Sequence, residues 1–143
     1  MIERVNQGNV ELAIIVRARY QQDGIRFFTP DHYSQQLGYM RRPLGYRIPP
    51  HVHNPVPRAV TATGEVLFVK SGKVRVDFYD ERREYVESRV LRAGDIVLLA
   101  AGGHGFEMLE PTELIEVKQG PYVGDADKTP LEPIADDSIR LRE

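Results

Sequence analysis

The chain has 143 residues, 41% of them hydrophobic, with 19 basic and 21 acidic side chains and a formal charge of −2. That length fits one domain with a core of its own, and near-neutral charge without a block of like sign removes the electrostatic basis for binding nucleic acid or an anionic membrane. With no cysteine, neither a disulfide framework nor a thiolate metal site is available.

No apolar run approaches the roughly 18 residues of a membrane span, and Met1 to Val10 lacks the apolar centre of a secretory signal. A soluble, cytoplasmic protein is the expectation. Twelve glycines and 10 prolines punctuate short β-branched and aromatic runs, the texture of an all-β barrel or sandwich with little helix.

Val10 to Tyr20 is the first predicted strand, apolar on both faces from Leu12 to Val16 and alternating beyond Arg17. Such a strand must be covered on both sides, by the barrel or by a second subunit. Gln22-Asp23-Gly24 is a turn from which Ile25 to Phe28 returns as a strand. Thr29 to His32 forms a loop, with His32 a surface residue, and Gln36 to Arg42 is a strand broken by Pro43-Leu44-Gly45. Pro49-Pro50 holds the backbone extended before His51.

Glu65 to Ser71 alternates as a strand and stops at Gly72. Lys73 to Tyr79 follows, with Val74, Val76 and Phe78 on one face. Asp80 to Arg83 is a charged hairpin tip, and Tyr85 to Leu91 pairs back. Ile96 to Leu99 leads into a turn at Gly102 to His104. Leu114 to Gln119 is the last strand, with Ile115, Val117 and Gln119 toward the barrel and Glu116 and Lys118 outward. Gly120 to Lys128 reads as an ordered loop over one end, and Leu131 to Glu143 as a peripheral strand or tail.

His51 and His53 flank Val52 on the extended segment, so their imidazoles project to one side about 6 to 7 Å apart. So placed, they can converge on one metal ion, with the Glu65 carboxylate at the mouth of the next strand available to face them.

Gly45, five residues, His51-x-His53, and then Glu65, six residues and Gly72 form a pattern that resembles the first motif of the cupins. Gly94-Asp-Ile-Val-Leu-Leu-Ala100-Ala-Gly102-Gly103-His104 resembles the second. The resemblance covers about residues 35 to 119. It implies an all-β antiparallel double-stranded β-helix, the jelly-roll barrel, as a single domain over 1–143, with N-terminal strands over 10–28 and a C-terminal loop and tail over 120–143. It further implies that His104 completes a metal site with His51, His53 and Glu65, and that the N-terminal strand packs across a homodimer. In two respects the chain departs from the pattern. Eleven residues, Asn54 to Gly64, separate His53 from Glu65, a longer stretch than the family's own, and in the second motif Ala100 stands where proline is usual and Met108 where asparagine is usual.

Three imidazoles and a carboxylate suit one divalent transition metal among Fe, Mn, Ni, Zn and Co, without choosing between them. Such an ion would polarise the oxygens of a small polar substrate. Isomerisation or epimerisation of a carbohydrate-like or keto-acid-like compound is the first reading. Glu65 and Tyr46 are the catalytic candidates, Arg47 and Arg58 are placed to clamp a carboxylate or phosphate, and Gln119 is a further substrate contact. The alternatives are a non-catalytic small-molecule binder, an Fe(II) dioxygenase, and a metal-free nucleotide-sugar epimerase or ketoisomerase using a histidine base.

Overall fold

The computed structural model describes residues 1–142. Ten strands form, β1 Ile2–Gln7, β2 Val10–Val16, β3 Gly24–Phe27, β4 Gly38–Arg41, β5 Glu65–Ser71, β6 Lys73–Tyr79, β7 Tyr85–Arg92, β8 Ile96–Leu99, β9 Gly103–Met108 and β10 Glu113–Lys118. Helix is confined to single 3-10 turns at Gly124–Asp127 and Asp136–Ser138. The strands fall into two compact units, one of Met1–Tyr20 with Thr63–Glu143 and one of Gln21–Ala62.

In the larger unit an antiparallel sheet of order β1-β2-β8-β5-β10 lies against a three-stranded antiparallel sheet of order β7-β6-β9. One apolar core joins them. The five-stranded sheet contributes Val5, Ala13, Ile15, Leu67, Val69 and Val97, and the three-stranded sheet Val74, Val76, Phe78 and Leu91. Each fully buried aliphatic or aromatic side chain contributes about 1.5 to 3 kcal/mol by leaving water. The architecture is all-β, as the sequence predicts, but both sheets keep free edges, so it is an open sandwich and not a closed barrel.

Strand β2 is buried on both faces, Leu12 through Ile15 at 1% exposure or less, and it ends at Val16 rather than at Tyr20. Beyond that point Arg17 and the Ala18 N–H turn aside to bind Asp95. Ahead of it lies β1, which the polar N-terminus conceals. Glu3 and Val5 share its inner side, and Glu3 is neutralised by Arg17 and Arg89.

Strand β10 corrects a predicted orientation. Its register sets Leu114 opposite Val69, Glu116 opposite Leu67 and Lys118 opposite Glu65, so Leu114 packs on the core and Lys118 shares the inner side. Ile115 and Val117 point outward, 52% and 58% exposed. The tail from Leu131 forms no strand, only a 3-10 turn at Asp136–Ser138 and one isolated bridge. Tyr79 Oη accepts the Ile134 N–H, and Ser88 exchanges backbone hydrogen bonds with Arg140 and Arg142 around a parallel bridge to Leu141.

In the smaller unit β3 pairs with β4 and not with β2. No strand follows between Arg42 and Ala62. The predicted extended strand at His51 to His53 is therefore an irregular exposed segment. Pro49, Pro50, Pro55 and Pro57 each lack the N–H that a ladder requires.

Candidate functional site

Glu65 opens β5 on the same side as Leu67 and Val69, and its residue is 7% exposed. His104 lies on β9 opposite Phe78 of β6, on the inner side of the other sheet. A glycine is required just before it. At Gly102 (φ +69°) a Cβ would stand 2.2 Å from the Tyr79 carbonyl oxygen, so the bare backbone lets the chain turn close to β6 and deliver His104 inward.

The two side chains meet across the sandwich, His104 Nε2 lying 3.0 Å from Glu65 Oε2. Lys118 Nζ is 3.8 Å from the other oxygen, Oε1. The hydrogen bond from His104 is the main reason that the Glu65 carboxyl titrates below the usual carboxylate range. Burial opposes that shift, and His104, Lys118 and Lys128 favour the anion electrostatically. A cleft of about 810 Å³ opens over the pair, also lined by Thr63, Tyr79, Asp127 and Lys128. Lys118 is the member that sequence reasoning oriented wrongly. Its even spacing from the core residue Leu114 was the available signal.

Gln119 accepts the Gly64 N–H through Oε1 at 2.7 Å, which ties down the chain just ahead of Glu65. The remaining predicted residues belong to the smaller unit. His51 and His53 lie edge to face, ring centroids 5.2 Å apart. The Pro49 carbonyl, which can only accept, lies 2.9 Å from His51 Nδ1. A hydrogen bond there places a hydrogen on Nδ1. Tyr46 lies under the Arg42 guanidinium, 4.6 Å from centroid to carbon, Arg47 is exposed, and Arg58 lines a separate recess with Phe27, Asp31 and His32.

Comparisons with protein-family models, with curated proteins and with solved structures each return no match.

Within either unit, no three or more His, Asp or Glu side chains are grouped as metal ligands among the described residues. The donors nonetheless fit a first-row divalent ion in kind. Two donor atoms about 2.1 Å from one ion and at right angles stand about 3 Å apart, which is the spacing of Glu65 Oε2 and His104 Nε2. The His51 ring has the outer-sphere carbonyl partner that fixes a ligating histidine's tautomer. Glu65 would offer one oxygen, since Lys118 stands at the second.

Proposed function

We propose that the protein is a cupin that binds one divalent transition metal through His51, His53, Glu65 and His104 and acts on a small polar substrate in the cleft above Glu65. The observation that carries this reading is the meeting of Glu65 and His104, one from each motif, at ligand-to-ligand spacing on the inner side of a two-sheet sandwich. The jelly-roll double-stranded β-helix is the finer fold we assign. It is supported by two antiparallel sheets that share one core.

When bound, the ion would polarise a carbonyl or hydroxyl oxygen and acidify the neighbouring C–H or O–H. The chain's own residues supply the rest. Lys118 stands at one oxygen of Glu65, and the other, which His104 contacts, is the one to coordinate or to exchange a proton. Isomerisation or epimerisation of a carbohydrate-like or keto-acid-like compound needs only these parts.

Elemental analysis after reconstitution with Mn, Fe, Co, Ni and Zn tests the reading. Near-stoichiometric metal in the wild type, lost in both His51→Ala and His104→Ala, is the expected result. Wild type that retains no metal after every reconstitution would remove it. The hydrogen-bonded Glu65–His104 dyad favours one second reading, proton transfer without metal, in which chelator-treated protein keeps full turnover on a sugar and keto-acid panel.

A further inference from the structure

A second recess of about 700 Å³ lies in the larger unit, where the end of β2 meets the turn between β7 and β8. Its charged lining is Arg17, Arg19, Lys73, Arg92 and Arg142 against Glu3 and Asp95. Both carboxylates are already committed. Glu3 takes Arg17 and Arg89. Asp95 accepts from Arg17 Nη1 and from the backbone N–H groups of Ala18 and Arg92, at 2.8 to 2.9 Å. Arg142 reaches Glu87 at 3.0 Å. The side chains of Arg19, Lys73 and Arg92 are left with no acceptor among the described residues.

Two of these three face each other. The β6–β7 register sets Lys73 directly opposite Arg92, which brings like charges to about 5 Å between Cβ atoms, an arrangement that destabilises an antiparallel pair. Elsewhere on the same face the chain avoids this, since Arg75 is held by Asp77 and Glu107. Asp95 meanwhile ties the Arg19-bearing and Arg92-bearing segments to each other. The cations are gathered by a rigid knot and not neutralised.

We propose that this recess is an anion site, which takes the phosphate group of a small phosphorylated ligand between Arg19, Lys73 and Arg92. Guanidinium forks match phosphate oxygens in pairs, and Lys73 adds a point charge. A dianion offsets the Lys73–Arg92 repulsion better than a single carboxylate does. Ala18, Val90 and Leu109 line the same recess and offer apolar surface to the ligand's organic part.

The test is calorimetric titration of the full chain with inorganic phosphate and pyrophosphate, with sulfate and chloride as comparators. Chelator-treated protein and the His104→Ala variant are used, so that the site at Glu65 is silent. Saturable binding of phosphate or pyrophosphate is expected, weakened about tenfold or more in Lys73→Gln and in Arg92→Gln. Each variant should also unfold at a higher temperature than wild type in anion-free buffer, because the repulsion is gone, and gain less from added pyrophosphate. Absence of saturable binding below about 10 mM, equal affinity in wild type and variants, or equal response to all four anions would overturn the proposal.

Discussion

Lys118 stands directly opposite Glu65 in the β5–β10 register, its Nζ 3.8 Å from Oε1 while His104 takes Oε2. The carboxylate is thus divided between a fixed cation and an imidazole. On the proposed function, a second cation at Glu65 works against the Lys118 charge. Lys118→Met should therefore tighten binding of a divalent ion about three- to tenfold, measured by competition with a chromophoric chelator. Weaker binding in the variant would mean that Lys118 supports the site by packing and not by opposing charge.

Glu3 predicts a pH dependence. Its hydrogen bond from Arg17 holds the carboxyl below its ordinary range, against the opposing effect of burial, with Arg17 and Arg89 adding favourable charge. A carboxyl with a depressed folded-state pKa stabilises fully above its unfolded value of about 4.3 and loses that contribution as pH falls through the folded value. Glu3→Gln should cost about 1 to 3 kcal/mol at pH 7, and the gap to wild type should narrow below pH 4 in urea unfolding. A gap independent of pH would place the effect in packing.

At Gly102 the left-handed φ of +69° and the 2.2 Å approach to the Tyr79 carbonyl leave no room for a methyl group. Gly102→Ala should destabilise by about 2 to 4 kcal/mol, read as a lowered thermal midpoint. A change under about 0.5 kcal/mol would show that the turn ahead of His104 relaxes freely.

The tail supplies both backbone partners of Ser88, which is 0% exposed, and brings Arg142 to Glu87. Ending the chain after Ala135 should cost about 2 to 4 kcal/mol and leave a cooperative transition by circular dichroism. Loss of that transition would make the tail part of the core.

Strand β6 was legible from its strict alternation, and β5 and β8 as short apolar runs, each bounded by glycine or a charged turn. Strand β1 was not, since its inner side begins with Glu3, whose burial depends on arginines far along the chain. Strand β9 was hidden by Gly103 and Gly105, which leave Glu107 as the one polar residue on its outer side. The orientation of β10 turned on whether Leu114 or the pair Ile115 and Val117 seeks the core, and periodicity alone weighs two apolar residues above one. Glu65 and His104 could be matched to motifs, and the structure brings them together. Whether four side chains assemble on one ion depends on distances that spacing in a sequence does not carry.

The chain quits the larger unit after Tyr20 and rejoins it at Thr63. Near each junction a side chain fastens the backbone, Asp95 at Ala18 and Gln119 at Gly64. With departure and return anchored independently, the intervening excursion can change in length or content while the sandwich keeps its register. Apart from the proposed ligands His51 and His53, diversification of this protein should accordingly concentrate between residues 21 and 62, and the two anchoring side chains should outlast the loop they bracket.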